Sequence, residues 1–495
     1  SLLQLYISIP FLILILILYT EWKRYRLPPG PIPIPFIGNM LSLIWGSFDE
    51  TLLKWRYKYG EIFTIWIGPI PLVMVCSLSQ MKRFFVDQAH IFSDRWRNHV
   101  TTTFMGGHYG IVQVDGQLWI EQRRFSLHLL RNFGVGRPQM EDSILNETQS
   151  LLSYLESSSS PINLFSPISI CVGNVINKIL FGKTFPQGSG EMDNLHLLLH
   201  KQSQLVVHPL MGLYITFPFT TNIPLINRPW KRLIQQRNSF WSFLNEQVED
   251  HKTRFDIGSY EEDFTFSYLE EMRRRKEEEE GMGSFSEWQL RMLLLDLFFA
   301  GMETTVTTLK WAFLFMAQHP EIQEEVQREL DEISNEMIGL NDRKNLPYTN
   351  ATICEIQRLA NILPINLLRI CNEDVIDGDI FYPKGTLIIP QISILLSDNT
   401  IWNDPDTFNP LRFLQDDRRT LKKIPHFIPF SIGKRQCLGE SLAKAELFII
   451  FTNVIKRFSI IKSSDISRDR PLGLTVSPKP YLVSIIKRSN DYNHN

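Results

Sequence analysis

The hydrophobic pattern begins with an almost wholly apolar run, residues 2–19, which only Gln4, Ser8 and Pro10 interrupt. As a helix this run would extend about 27 Å, close to the thickness of the hydrocarbon core of a bilayer. Aromatic residues and cations follow at once, as they do at a cytoplasmic membrane surface. No cation precedes the run and no small-residue cleavage site follows it. The pattern therefore predicts an uncleaved transmembrane anchor over 2–19 rather than a cleaved signal peptide.

Prolines dominate the stretch from Leu27 to Pro35, which is therefore neither a helix nor a central strand. With the cations before it, we expect residues 20–35 to form a basic, stiff hinge between the anchor and a folded domain over 36–488. The polar tail 489–495 is expected to be disordered.

Short strands are predicted at 61–67 and 71–76, and again at 386–389 and 481–486. Most of the remaining pattern has a helical period. The chain of 495 residues suggests two or three domains by length alone, although single folds of this size exist. The pattern predicts a mainly α fold with small β-sheets.

One predicted helix is unusually long. It opens with a capping box at Ser286–Gln289 and ends only at His319-Pro320. Its centre, Ala300–Thr305, contains a glycine and adjacent β-branched residues, which are poor helix formers. Local conflicts of this kind often mark function, and we expect a functional segment here.

Composition narrows the function without identifying it. The net charge of -2, without a basic repeat, gives no indication of nucleic-acid binding. The five cysteines are odd in number, widely spaced and without a C-x-x-C pair, which argues against a disulfide framework and a zinc finger. Four of them are expected to be small buried apolar residues.

Cys437 differs because of its neighbours. Gly433 and Gly439 allow tight turns on both sides of the thiol and close approach to a flat cofactor. Arg435 can lower the thiol pKa or bind an anion, and a helix predicted from Glu440 would stabilise negative charge on the sulfur. A nucleophilic cysteine needs a base, and no histidine lies within ten residues. The segment favours a cofactor ligand, although a distant base would still permit a nucleophile.

The motif Phe430-x-x-Gly433-x-Arg435-x-Cys437-x-Gly439 resembles the haem-thiolate signature of the cytochromes P-450. The resemblance covers nearly the whole chain, and the anchor and hinge are similar to those of microsomal animal enzymes that oxidise drugs and arachidonate. Its further motifs are Trp119-x-x-x-Arg123, Ala300-Gly301-x-Glu303-Thr304-Thr305, Glu355-x-x-Arg358 and Phe408-Asn409-Pro410-Leu411-Arg412-Phe413.

The resemblance implies a single mainly helical domain that binds haem b, with Cys437 as the axial ligand of the iron. Buried propionates need cations and donors, which arginines and an indole would supply. Relatives often have histidine where Arg369 stands. The other residues that the resemblance assigns to the haem are Arg95, Trp119, Arg123, Ala300, Thr304, Arg369, Phe430, Arg435 and Gly439.

The resemblance also implies roles away from the haem edge. Thr304 and Glu303 would be the catalytic alcohol and acid that deliver protons. Asp296 would bind either the loop near 105–113 or a substrate. A buried structural network would join Glu355, Arg358 and Arg412, although spacing alone indicates no more than a surface ion pair. The implied substrate pocket is mainly apolar and consists of Gln113, Asp296, Phe299, Ala300, Ile365, Leu368 and Leu474.

The implied function is a monooxygenase that uses O2 and two electrons from NADPH, delivered by the flavoprotein NADPH–cytochrome reductase. It would hydroxylate or epoxidise small hydrophobic molecules of xenobiotic, fatty-acid or steroid type. Cytochrome b5 is a second implied partner. The expected location is the endoplasmic reticulum membrane, with the catalytic domain on the cytosolic side. A basic face that would steer the reductase consists of Arg124, Arg131, Arg137, Lys434 and Lys444.

Three other functions stay open at this point: a haem-thiolate isomerase or synthase, a haem-binding protein without oxygenase activity, and a cysteine enzyme without haem. The intact Ala300-Gly301 and Glu303-Thr304 pairs favour oxygen activation over the first two. Residues 209–230 are rich in aromatic residues and proline without a clear period. They predict either a loop that enters the membrane surface or a lid over the pocket.

Overall fold

The fold is mainly helical, as the pattern predicts, with small sheets at its edges. The computed structural model describes residues 14–15, 17–45, 47–133, 138–256, 263–278, 281–463, 467 and 469–488. Residues 2–13 of the predicted anchor and the tail 489–495 lie outside the described residues. The helices are α1 (17–26), α2 (Met40–Trp45), α3 (Phe48–Tyr59), α4 (Leu78–Lys82), α5 (His99–Met105), α6 (Gly116–Asn132), α7 (Pro138–Ser157), α8 (Phe165–Phe181), α9 (Gly190–Leu205), α10 (Pro209–Thr216), α11 (Arg228–Asp256), α12 (Phe264–Glu277), α13 (Glu287–Gln318), α14 (Pro320–Asp331), α15 (Pro347–Ala360), α16 (Ile392–Ser397) and α17 (Glu440–Arg457).

The strands form one four-stranded sheet and two two-stranded antiparallel sheets. In the larger sheet the order is β1-β2-β6-β3, in which β2 and β6 are parallel and the other pairs antiparallel. The four predicted strands are confirmed, with shifts of one or two residues at their ends. The strands are β1 (Ile62–Ile67), β2 (Ile70–Val75), β3 (Arg369–Ile370), β4 (Val375–Asp377), β5 (Ile380–Tyr382), β6 (Leu387–Pro390), β7 (Phe458–Lys462) and β8 (Val483–Lys487).

The long helix α13 forms the centre of the core and packs against α8, α9, α11, α15 and α17. The hydroxyl of Ser286 accepts a hydrogen bond from the backbone N–H of Gln289, as the capping box predicts. The Gln289 side chain does not close that box, because its amide bonds both backbone groups of Gly110 instead. In the described part of the chain, α13 is the one helix long and apolar enough to cross a membrane, and most of it is buried in the protein.

The proline-rich hinge packs along the larger sheet. The backbone N–H of Thr64 in β1 donates to the carbonyl oxygen of Pro29 at 3.1 Å. A Cβ on Gly30 would lie 1.9 Å from the carbonyl oxygen of Thr64, so only glycine permits this approach. The hinge is therefore held on the domain rather than projecting away from it.

The stretch 209–230 contains α10 and a short 3₁₀ turn, Pro218–Asn222. Tyr214 is buried, whereas Phe219 and Leu225 are exposed. Exposed large apolar residues on a short connection suit both a membrane contact and a lid, so both interpretations of this stretch stay predictions.

Candidate haem site

The loop before α17 holds Cys437 in a tightly turned segment. Gly433 has a φ of +76°, and a Cβ there would lie 2.0 Å from the carbonyl oxygen of Phe85. The backbone N–H of Cys437 donates to the carbonyl oxygen of Phe430 at 3.0 Å. Helix α17 begins three residues after the thiol, so its N-terminal N–H groups lie near the sulfur.

Cys437 is exposed, although neighbouring protein groups still desolvate its thiol. Burial raises its pKa, and a hydrogen bond from the backbone of Gly439 and the positive charge of Arg123 oppose that rise. A thiol with a raised pKa is a poor nucleophile at neutral pH, whereas coordination to a metal removes its proton. The environment therefore suits a metal ligand better than a nucleophile.

The other cysteines behave as predicted for small apolar residues. Cys76, Cys171 and Cys371 are buried, and Cys354 is partly buried. Burial raises the pKa of Cys354 and of Cys371 to about 11. Cys437 thus differs from the other four in accessibility.

Three buried arginines lie close together: Arg95 lowers the pKa of Arg369, and both lower the pKa of Arg435. Burial is the main cause, and with the neighbouring charges it lowers the pKa to about 10, 9 and 8 in that order. Nε and Nη1 of Arg369 and Nη1 of Arg435 have no hydrogen-bond partner among the residues that the structure describes. Buried cations with unpaired donors need an anion, so the cluster fits the propionates of a haem.

Helix α6 joins this cluster to the Cys437 loop. The guanidinium of Arg435 lies 3.9 Å from the centre of the Trp119 ring, and that of Arg123 lies 5.6 Å from it. Nη2 of Arg123 donates to the carbonyl oxygen of Gln436, the residue before Cys437, at 2.7 Å. The indole of Trp119 and the guanidinium of Arg123, which are one helical turn apart in the sequence, therefore lie together.

Thr304 and Ala300 are accessible positions at the centre of the otherwise buried helix α13. The Thr304 hydroxyl donates to the carbonyl oxygen of Ala300 at 2.7 Å. The adjacent Gly301 faces α8 instead, where a Cβ would lie 3.0 Å from Ile176. Gly301 therefore permits close packing of α13 against α8.

Glu303 is fully buried and held from two other segments. Its Oε1 accepts from the Thr475 hydroxyl at 2.9 Å and lies 3.3 Å from Nδ1 of His200. Its Oε2 lies 3.4 Å from Nε2 of His196. Burial would raise the pKa of Glu303, but the two histidines and the charge of Lys310 hold it well below its usual range.

These partners of Glu303 were not predicted from the sequence. The only local signal is the spacing of His196 and His200, four residues apart, which puts both rings on one face of α9. Thr475 is more than 170 residues from Glu303 along the chain.

Glu355, Arg358 and Arg412 form the predicted buried network. Nε of Arg358 donates to Oε2 of Glu355 at 2.7 Å, and Nε of Arg412 donates to Oε1 at 3.2 Å. Arg358 also donates to the carbonyl oxygens of Leu396 and Pro405. The network thus ties α15 to the segment that leads to Cys437.

Asp296 binds the loop near residues 105–113, which is one of the two partners expected for it. Its Oδ2 accepts from the backbone N–H groups of Ile111 and Val112 at 2.7 and 2.9 Å. Burial raises the pKa of Asp296 to about 6, although both N–H groups lower it. The other predicted pocket residues are partly accessible: Gln113, Phe299, Ile365, Leu368 and Leu474.

Comparisons with known proteins identify the family of the chain. The family model for Cytochrome P450 matches residues 28–485. Cytochrome P450 2B15 of Rattus norvegicus is 34% identical over 98% of this chain and 98% of its own length. Cytochrome P450 2A5 of Mus musculus is 35% identical over 96% of the chain and 97% of its own length. For Cytochrome P450 2J2 of Homo sapiens the identity is 36%, over 92% and 90%.

Proposed function

The chain belongs to the cytochrome P450 family, and from that premise we propose that its active site lies between the Cys437 loop and the centre of α13. It is a haem-thiolate monooxygenase that receives electrons from NADPH through a reductase. The observation that carries the site assignment is the buried cluster of Arg95, Arg369 and Arg435, whose unpaired N–H groups adjoin the cysteine loop.

Residues of three segments would hold the haem. Arg95, Arg369 and Arg435 would bind the propionates, with Trp119 and Arg123 beside them, and Cys437 would supply the thiolate that binds the iron. Phe430, Gly439 and Ala300 would contact the ring. When bound, the haem supplies the reductive activation of O2, and the thiolate favours O–O cleavage. The protein contributes orientation, exclusion of water and a path for protons.

The catalytic segment of α13 combines small size with a hydroxyl. Thr304 would order water above the haem, because its hydroxyl is accessible and already oriented by the Ala300 carbonyl. Glu303 would supply the acidic end of the proton relay. Phe299, Ile365, Leu368 and Leu474 would make an apolar pocket for small xenobiotic, fatty-acid or steroid-like substrates.

The partners and location follow from surface features. Arg124, Arg131 and Lys434 are exposed and would steer the reductase and cytochrome b5, whereas Lys444 is paired with Glu440 at 2.5 Å. The fifth residue of the predicted basic face, Arg137, lies outside the described residues. Apolar side chains of α1, such as Leu18, are exposed. We place the chain at the endoplasmic reticulum membrane with its catalytic domain on the cytosolic side.

The carbon monoxide spectrum of the reduced protein tests the site. We expect the red-shifted Soret band of a thiolate-ligated haem in the wild type and in Cys354→Ser, whose thiol is partly buried elsewhere. Cys437→Ser should lose the band while the chain remains folded. A Cys437→Ser protein that keeps the band would overturn the assignment of the ligand.

A further inference from the structure

A buried carboxylate at the centre of α13 is connected to a histidine at the protein surface. Glu303 has no exposed side-chain area, whereas the side chain of His200 on α9 is 26% exposed. Nδ1 of His200 lies 3.3 Å from Oε1 of Glu303, and its Nε2 lies 3.2 Å from the side-chain nitrogen of the exposed Gln204. One ring nitrogen thus faces outward and the other faces the buried anion.

Glu303 is poorly suited to store a proton itself. Its pKa is held well below the usual range, so the group is a carboxylate at neutral pH. Imidazole, by contrast, is the side chain whose ordinary titration falls between pH 5 and 8. An accessible imidazole beside a fixed carboxylate is therefore the better proton carrier in this pair.

The second histidine of α9 has a different environment. His196 is buried, and its Nδ1 lies 3.0 Å from the Ser169 hydroxyl of α8. Burial lowers its pKa, which favours the neutral ring. The remaining charged group that acts on Glu303 is Lys310 of α13, whose pKa burial lowers to about 8. Of the two histidines beside Glu303, His200 is therefore the one with access to solvent.

We propose that His200 carries protons from solvent into the active site and passes them to Glu303, which is ionised between transfers. The proposal rests on the monooxygenase function, in which each turnover consumes O2, two electrons from NADPH and two protons. One oxygen atom enters the product and the other leaves as water.

Each proton follows the same path. A solvent proton binds Nε2 of His200, and the proton on Nδ1 leaves along the hydrogen bond to Glu303. From Glu303 it passes through water to the accessible side of α13 at Thr304. The carboxylate is ionised again at the end, and the ring recovers its starting tautomer by exchange with solvent, so the protein undergoes no net change.

The test compares His200→Gln with the wild type in the full-length, haem-loaded enzyme with its reductase. Glutamine keeps a donor for Glu303 but cannot relay a proton. We expect product formed per NADPH to fall roughly tenfold. This decrease is smaller than the one expected for complete loss of general acid catalysis, because water partly replaces the ring. Hydrogen peroxide should rise, the solvent isotope effect should increase, and the pH dependence of coupling should flatten. The exposed His90 provides the control, and His90→Gln should behave like the wild type.

Histidine NMR gives a readout that does not depend on activity. The resonance that disappears in His200→Gln identifies His200, and it should shift in Glu303→Gln, whereas the resonance of His90 should not. His200→Asn provides a second variant. The role of His200 can be tested with whichever of the two variants keeps an intact carbon monoxide spectrum. Unchanged coupling and pH profile in a folded variant would overturn the proposal. A wild type that forms no product would instead refute the monooxygenase function.

Discussion

Two glycines of the cysteine motif, Gly433 and Gly439, have different structural roles. The left-handed backbone of Gly433 and its approach to Phe85 exclude a side chain. Gly439 has a φ of -91°, and no described atom lies within 4 Å of the position of a Cβ. We expect Gly433→Ala to lower the free energy of unfolding by about 3 kcal/mol or more, and Gly439→Ala to change it by less than about 0.5 kcal/mol. Thermal unfolding of the haem-free proteins measures both, and equal losses would contradict this distinction.

Asp296 gives the folded state a pH dependence of predictable sign. Its pKa is about 6 in the folded state against an ordinary value of 3.8, so the folded chain binds more protons between these values. Its contribution to stability is therefore lost as the pH rises through that window. Asp296→Asn keeps an acceptor for Ile111 and Val112 without the charge. We expect it to stabilise the protein by about 1 kcal/mol more at pH 8 than at pH 5.

Denaturant unfolding at the two pH values tests this expectation. The exposed Asp417, mutated to Asn, serves as the control for a general effect of removing one negative charge. A gain from Asp296→Asn that is the same at both pH values, or larger at pH 5, would show that the carboxylate is not protonated in the folded state as described.

At the level of elements, α15 depends on a buried anion. Glu355→Gln would leave the buried guanidinium of Arg358, and that of Arg412 beside it, without a carboxylate. Loss of one partner from a buried ion pair costs about 3–5 kcal/mol, so we expect a loss of that size and weaker haem retention. Glu325→Gln breaks the exposed pair with Arg328 and should cost less than about 1 kcal/mol. Chemical denaturation compares the two, and similar midpoints would mean that the buried network is dispensable.

Local spacing predicts contacts within an element but not between elements. Glu355 and Arg358 could be paired from the sequence because three residues separate them on one helix face. Arg412 lies 57 residues from Glu355, and only the family resemblance suggested it. The same limit explains Gln289, which was expected to close a local capping box and instead bonds Gly110, 179 residues away. A competing tertiary partner leaves no local sequence signal.

At the scale of the whole molecule, the haem site is assembled from distant segments. Arg95 follows the π-helical turn after α4, Arg123 lies on α6, Arg369 on β3 and Arg435 in the loop before α17. No short window of sequence contains two of the three buried arginines, so their mutual repulsion could not be predicted from spacing. The mainly helical class could be predicted, because helical periodicity is repeated along most of the chain.

The proline hinge links the proposed membrane segment to the domain, and two truncations separate membrane binding from the stability of the domain. Removal of residues 1–26 leaves Pro29 bonded to Thr64 and the side chain of Asn39 bonded to the carbonyl of Ile32. Removal of residues 1–38 eliminates the acceptors of the Thr64 backbone N–H and of Asn39 Nδ2 and exposes the edge of β1, whereas Asn39 stays bonded to Trp66. We expect the shorter truncation to release the protein from membranes with its carbon monoxide spectrum and melting temperature intact.

The longer truncation should lower the free energy of unfolding by about 2 kcal/mol, because each unsatisfied buried polar group costs about 1–3 kcal/mol. Sedimentation with vesicles and thermal unfolding measure the two effects independently, and equal melting temperatures for both truncations would mean that the hinge is only a spacer.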